Sequence, residues 1–298
     1  MKKTWQRIAL IATAVLGVLA FPAGVQAKKV TVESSVTEYY WDTTQNQWVL
    51  SNQYEYEYNK KGLMSKEVSR YNELVWDEVT ETEKWVPHTD IYTYKYRKDG
   101  QMSSSTCSRD GVKSKTTYKY NKKGLEISGV EKRGKKVFWK EKFTYNKKGD
   151  ITKAVYEDYS EGTKIKNTEK YKYTYKKGVL RKVVTTATNF TTTDTYDKKG
   201  RIKKSFTVED DGSTSETLYY TNGNPKKDTR KLEGYTHVTN YDKKGNETEM
   251  ISTGTDGSVS KTKYVYKKNK AGKILEKTEI CDGVTLFKTV YTYTKVKG

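Results

Sequence analysis

Histidine, cysteine and proline are nearly missing from this chain: two, two and three residues among 298. So few imidazoles and thiols leave little from which to build a zinc centre or a histidine-based triad. His88 and His237 stand about six repeats apart and read as ordinary strand or loop residues. Cys107 and Cys281 are 174 positions apart. In an extended meander that is roughly 65 Å, against the roughly 7 Å that a disulfide spans. Free thiols are expected.

Long apolar runs are equally scarce. Ile8 to Phe21 is the only one, preceded by Lys2, Lys3 and Arg7. Pro22 and Gly24 break it before the small-residue site Val25-Gln26-Ala27. Its 14 residues fall short of the roughly 20 a membrane helix needs. This is the three-part layout of a secretory leader. The expectation is a signal peptide over 1–27, cleaved after Ala27, and a single continuous domain over 28–298 with no transmembrane segment. No Cys follows directly on the cleavage site, so a lipid anchor there is not expected.

Catalytic signatures are also lacking. Asp77-Glu78, Glu157-Asp158 and Glu209-Asp210-Asp211 are neighbours in sequence, whereas glycosidase chemistry needs carboxylates facing across a cleft. No phosphate loop, dinucleotide fingerprint or nucleophile elbow occurs. The Thr255-Asp-Gly type of turn lacks the acidic cluster of a calcium loop. No catalytic residue, metal or cofactor is expected.

What is abundant is lysine, tyrosine and threonine. Net charge is +20, or +17 once Lys2, Lys3 and Arg7 leave with the leader. That excess favours anionic partners such as teichoic acids, acidic glycans or lipid surfaces. Nucleic acid is not expected for an exported chain. Ile, Leu, Val and Phe are 44 of the 271 residues over 28–298, about 16%, which with high charge falls in the range of disorder. The 26 tyrosines overrule that reading, because they are strand formers and periodic.

One phrase recurs: aromatic-x-aromatic, Asn or Asp, then Lys-Lys-Gly. It stands at Tyr56–Gly62, Tyr94–Gly100, Tyr118–Gly124, Phe143–Gly149, Tyr173–Gly178, Thr195–Gly200, Tyr219–Gly223, Asn240–Gly245 and Tyr264–Gly272. The intervals between these glycines are 38, 24, 25, 29, 22, 23, 22 and 27, a period near 24. Tyr-x-Tyr puts two rings on one face of a strand. Asn or Asp opens a type I turn and Gly closes it left-handed, giving a bulged hairpin. Second turns fall midway, at Arg109-Asp-Gly, Lys132-Arg-Gly, Ser160-Glu-Gly, Asp210-Asp-Gly, Thr255-Asp-Gly and Cys281-Asp-Gly. Wider hairpins are expected between Trp41 and Trp48 and between Trp76 and Trp85. The fold class is therefore all-β: an antiparallel meander of about nine tandem hairpins, as an extended twisted sheet or an open, solenoid-like array.

Tyr196-Asp-Lys-Lys-Gly-Arg-Ile202 and Tyr241-Asp-Lys-Lys-Gly-Asn246 resemble the core motif of YD-repeat, or Rhs-type, proteins, and Tyr58, Tyr120 and Tyr145 open the Asn form of it. In large members such repeats form a β-shell around a toxin or serve as adhesive surface modules. This chain is short and carries no toxin segment, so it is more similar to small secreted YD-like proteins.

Two surfaces follow from the repetition. The turns carry a lysine comb: Lys60, Lys61, Lys122, Lys123, Lys147, Lys148, Lys176, Lys177, Lys198, Lys199, Lys243 and Lys244. The strands carry a tyrosine ladder, including Tyr58, Tyr96, Tyr120, Tyr145 and Tyr175, which is core if buried and a stacking platform if exposed. These residues are the candidate binding set. The expected function is a non-catalytic binding or adhesion module, secreted or in a bacterial envelope, for anionic polymers or glycans. The alternatives are a protein-interaction scaffold working through open sheet edges, or a polysaccharide hydrolase whose site the sequence does not display.

Overall fold

The computed structural model describes residues 29–77, 82–160 and 162–297. The leader over 1–27 lies outside the described residues, as does the loop 78–81 of the second wide hairpin. The described residues form twenty strands. They are β1 (Lys29–Asp42), β2 (Gln47–Tyr58), β3 (Met64–Asp77), β4 (Thr82–Tyr96), β5 (Met102–Arg109), β6 (Val112–Tyr120), β7 (Glu126–Arg133), β8 (Lys136–Tyr145), β9 (Ile151–Asp158) and β10 (Ile165–Lys176). There follow β11 (Val179–Thr186), β12 (Phe190–Tyr196), β13 (Ile202–Glu209), β14 (Thr214–Tyr219), β15 (Pro225–Leu232), β16 (Tyr235–Tyr241), β17 (Glu247–Gly254), β18 (Val259–Lys268), β19 (Ile274–Cys281) and β20 (Val284–Lys297).

The Lys-Lys-Gly turns form as their chemistry requires. At the β6–β7 turn, Gly124 N–H donates to Asn121 O (3.0 Å) and Asn121 N–H to Leu125 O (2.8 Å). The Asn121 side chain accepts from Lys123 N–H (2.9 Å) and Leu125 N–H (3.0 Å). Gly124 takes φ +76°, which closes the turn. On the opposite side, Asp110-Gly111 and Asp282-Gly283 have both φ values positive, the type I′ geometry of two-residue hairpins. Trp41 pairs with Trp48, rings edge to face at 5.3 Å. One expected turn is displaced: the β7–β8 hairpin turns at Gly134-Lys135, one residue beyond Lys132-Arg-Gly. Two turns escaped the sequence reading, Ala187–Asn189 and Glu233-Gly234, which brings the hairpins between odd and even strands to ten.

The meander does not stay open. Each strand pairs antiparallel with the next, and β20 pairs with β1, from Lys29 against Lys297 to Tyr40 against Phe287. The sheet is a closed barrel with no free edge. This corrects the expected open ribbon or solenoid. It also overturns the resemblance to YD-repeat proteins, since an array of repeats has two free ends and here the first and last strands are hydrogen-bonded neighbours.

A physical cause of closure sits at the Lys-Lys-Gly turns. The register slips by one residue just before each final aromatic position: Glu57/Tyr58, Lys95/Tyr96, Lys119/Tyr120, Thr144/Tyr145 and Thr174/Tyr175. The same slip recurs at Thr195/Tyr196, Leu218/Tyr219, Asn240/Tyr241 and Lys267/Lys268. Bulges bend their strand and raise the local twist. Nine of them at one height curl the sheet in one sense until its edges meet.

Because strands alternate in direction, the turns segregate. One mouth carries the nine Lys-Lys-Gly-type turns and the two chain ends; the other carries the connections of the ten odd-to-even hairpins. Twenty strands about 4.8 Å apart and tilted by about 40° give a barrel roughly 40 Å across. Substantial packing is confined to ladder neighbours, so the lumen is open. Only Val36, Val68, Ala154 and Val183 count as buried hydrophobics among the described residues.

Candidate functional site

The two walls follow from parity along the strands. Tyr118 lies beside Gly129, Gly129 beside Glu141, and Glu141 beside Tyr156. The same face continues through Tyr171, Tyr173 and Asp194 in one direction and through Tyr94, Tyr92, Glu67 and Tyr56 in the other. The opposite face carries Lys115, Lys119, Lys140, Lys142, Lys153, Lys170, Lys172 and Lys182.

Crowding assigns the tyrosine face to the lumen. Inner-wall side chains converge and outer-wall side chains diverge. Along β6 the tyrosine face (Ser114, Thr116, Tyr118, Tyr120) is half-buried and the lysine face (Lys113, Lys115, Thr117, Lys119) exposed. Contacts on the tyrosine face also skip a strand. Lys277 on β19 reaches Glu247 on β17 at 2.8 Å, passing 4.5 Å from the Tyr264 ring on β18. Ion pairs of the lysine face join adjacent strands only, as in Lys66–Glu57, Arg70–Glu55 and Lys261–Glu249.

The structure places the candidate tyrosines together as a belt just inside the lysine mouth. Their hydroxyls are committed. Tyr58 donates to Glu33 O (2.7 Å), Tyr96 to Met64 O (2.6 Å), Tyr120 to Met102 O (2.7 Å) and Tyr145 to Glu126 O (2.5 Å). Tyr175 donates to Asp150 Oδ2 (2.9 Å), with Lys148 Nζ 4.1 Å from its ring centre. They are half-buried and their hydroxyls are pinned to the wall, so the ladder is neither core nor free platform.

The candidate lysines become a ring. Lys60, Lys61, Lys122, Lys123, Lys147, Lys148, Lys198, Lys199, Lys243 and Lys244 are exposed at one mouth, as are Lys176 and Lys177. Neighbouring turns are stitched by Lys61 Nζ donating to Lys98 O and Lys123 Nζ to Lys147 O, both 3.2 Å. The candidate lysines and tyrosines meet at this rim, where Lys148 lies against the Tyr175 ring.

Sequence reading missed the carboxylates among the tyrosines. Glu67, Asp90, Glu126, Glu141, Glu169, Asp228, Glu247 and Glu279 all line the lumen. Parity counted from each bulge would have found them. Some have cations: Arg109 takes Asp90 with Nε at 2.9 Å, and Arg230 takes Asp228 at 3.0 Å. Others do not. Burial and then Glu126 push the Glu141 carboxyl up to about 8, and burial raises Glu126 also. Burial, followed by Glu67, lifts the Tyr56 and Tyr94 phenols far above their ordinary value. The lumen is thus aromatic and acidic, a poor host for anions.

His88 and His237 face the lumen near the second mouth but stand eight strands apart round the barrel. His88 Nδ1 lies 2.7 Å from Asp110, and His237 Nδ1 2.6 Å from Ser252 Oγ. The latter pair lines a shallow cleft of about 550 Å³ with Tyr235, Asp256 and Ser260. Cys107 and Cys281 are separate thiols on β5 and β19. No group of three or more metal-capable side chains occurs among the described residues.

No protein-family model matches the chain, and no curated protein matches it. Among solved structures, a porin-like protein from Bacteroides uniformis ATCC 8492 aligns over 88% of this chain and 98% of its own, at 10% identity and a TM-score of 0.37. A porin-like protein from Bacteroides vulgatus ATCC 8482 aligns over 89% and 99%, at 11% identity and a TM-score of 0.34. Likeness at that level says nothing of what this chain does.

Proposed function

We propose that the protein is an exported, non-catalytic barrel of the cell envelope or its exterior that holds anionic envelope polymers on its lysine mouth and lysine outer wall. The observation that carries this reading is the segregation of charge: lysine predominates outside and on one rim, where only a minority of carboxylates such as Glu55, Glu57 and Glu249 stand, while carboxylate and tyrosine predominate inside around Lys277, Arg109 and Arg230. A polyanion drawn to the rim is repelled by the lumen, so it lies along the outside rather than threading through.

The outer wall also bears on where the barrel works. Its apolar residues are interspersed with lysines rather than gathered into a band: Val68, Ile91, Val155, Val184, Phe206, Val238 and Ile251 lie on it, as do Leu50, Trp85, Val208, Leu218 and Val265 at other heights. Lys66 and Arg70 flank Val68, Lys153 flanks Val155, and Lys182 flanks Val184. A lipid-facing wall is an unbroken apolar band roughly 25 Å tall, where each midplane lysine costs about 2–4 kcal/mol. This supports a water-facing barrel.

The test is retention of the mature protein on immobilised teichoic acid and on polygalacturonate at 0.1 M and 1 M salt, with liposome flotation alongside. Strong retention at low salt, lost at high salt and weakened by Lys122, Lys123, Lys147 and Lys148→Gln, is expected, with the protein left in the aqueous fraction. Salt-insensitive retention, or flotation with neutral lipid, overturns the reading.

A further inference from the structure

The two mouths carry opposite charge. At the first, the turns between strands bring Lys60-Lys61, Lys122-Lys123, Lys147-Lys148, Lys198-Lys199, Lys243-Lys244, Lys270 and Lys273, with Asp99, Asp150, Asp197 and Asp242 as the acidic exceptions. At the second they bring Asp110, Asp210, Asp211, Glu233, Asp256 and Asp282, with Lys135 and Lys164 as the basic exceptions. The six acidic side chains are on exposed residues. Backbone amides hold several ionised. The Ser213 amide and hydroxyl keep Asp211 below its usual value, the Ser258 hydroxyl and amide do so for Asp256, and the Lys261 amide for Asp282.

We infer that these barrels stack end to end, the acidic mouth of one copy seated on the lysine mouth of the next. Three observations carry it. The charges are complementary in sign. The two rims belong to one cylinder, so their diameters match, and the acidic turns from Asp110 to Asp282 form the seating arc beside the longer β1–β2 and β3–β4 hairpins, which project past them. Their spacing matches too: ten odd-to-even hairpins face nine Lys-Lys-Gly-type turns plus the paired chain ends, each position two strands wide.

The area is sufficient. A ring roughly 40 Å across and one hairpin, about 10 Å, thick offers on the order of 1,000 Å² per copy, comparable with the roughly 800 Å² that each partner buries in a standard interface. Because the contact is head to tail, it leaves one mouth of each kind free and propagates as a filament rather than closing as a dimer.

The lysine-rich outer wall opposes this only at long range. At very low ionic strength the net positive charge of two barrels repels over a Debye length of about 30 Å. Near 0.1 M that length falls to about 10 Å, leaving the apposed rims as the main electrostatic contact, and at 1 M the rims are screened as well. Stacking therefore peaks at intermediate salt.

Sedimentation velocity of the mature protein at 0.01, 0.1 and 1 M salt, with negative-stain microscopy at 0.1 M, tests this. The expected result is rods one barrel wide at 0.1 M and single barrels at 1 M. Two variants make the test specific. The first is Asp110, Asp210, Asp211, Asp256 and Asp282→Asn; Asn accepts the same turn amides, and circular dichroism checks the fold. The second is Lys60, Lys61, Lys122, Lys123, Lys147 and Lys148→Gln. Each alone stays single, and an equal mixture gives pairs and nothing longer, since only one intact acidic mouth and one intact lysine mouth remain. Single barrels at all three salts, or rods that persist in the five-Asn variant, overturn the inference.

Discussion

Lys277 and Glu247 stand on strands that do not touch, yet Nζ and Oε2 are 2.8 Å apart across the ring of Tyr264. Lys277 also meets Glu279 at 3.1 Å. Burial works against the Lys277 charge, but the bond to Glu247 and the pull of Glu279 overcome it and hold the ammonium above its ordinary value. Only a concave wall brings three successive strands into one such contact.

Removing that ammonium leaves two carboxylates facing each other beside a phenol. Lys277→Met is expected to cost about 1–3 kcal/mol, the range for a half-buried polar group that loses its charged partner. Adding Glu247→Leu should return part of the loss, since an unpaired charge disappears. Urea unfolding of the two single variants and the double variant measures the coupling. Additive losses would mean that the side chains do not meet and that the wall is flatter than described.

The Glu126–Glu141 pair predicts the pH response. Both carboxyls are raised in the fold, Glu141 to about 8 by burial and then by Glu126. A raised carboxyl favours the fold when protonated. Its contribution is complete below the unfolded value of about 4.3 and is lost as pH rises through about 8. Wild-type stability should therefore fall between pH 5 and 9. Glu141→Gln keeps the shape without the second charge, and should flatten that slope and gain about 1–3 kcal/mol at pH 9. Denaturant midpoints at the two pH values decide it; an unchanged slope means that the carboxyls ionise independently.

Turn chemistry predicts local losses. Asn121 accepts two turn amides, so Asn121→Ala should cost about 1–2 kcal/mol and Asn121→Asp much less, as at helix caps. Gly100 and Gly124 both have positive φ, but a methyl group at Gly100 meets open space while one at Gly124 comes 3.0 Å from Gln101 Nε2. That amide donates to Gly124 O. Gly100→Ala should show backbone strain alone, about 1 kcal/mol. Gly124→Ala should cost more by about the value of the displaced bond. Equal melting points for the two variants would refute the Gln101 contact.

The hairpins were legible because their determinants are local. Asn121, Lys123, Gly124 and Leu125 settle one turn within five residues, and the phrase repeats. The Ala187–Asn189 turn was not legible because it has no glycine. Closure escaped for a different reason. It depends on the bend accumulated over nine bulges, and on β1 and β20, which are far apart in sequence and look like any other alternating strand. The acidic lumen was hidden in the same way: Glu126 and Glu141 become partners of Tyr118 only when register is known across three strands. The lysine residues were legible, and their ring was not, because a comb becomes a ring only on closure.

Closure itself yields the sharpest test. Thr37 on β1 and Val290 on β20 are directly opposed. Opposed residues in an antiparallel ladder have Cα atoms about 4.5–5.5 Å apart, within the range a disulfide accepts. In an open sheet the same residues would be nineteen strand spacings apart, roughly 90 Å. In a background with Cys107 and Cys281→Ser, the pair Thr37→Cys and Val290→Cys should therefore oxidise within single molecules. Mass spectrometry would find one intramolecular bridge, and non-reducing gels no dimer. Because the bridge closes a loop of nearly the whole domain, it should also stabilise the barrel by up to about 5 kcal/mol, the upper end for long loops. A control pair, Thr37→Cys with Thr195→Cys on the far wall, should remain reduced or cross-link between molecules. Free thiols in the first pair under oxidising conditions would mean that β1 and β20 part in solution, leaving an open sheet with two exposed edges.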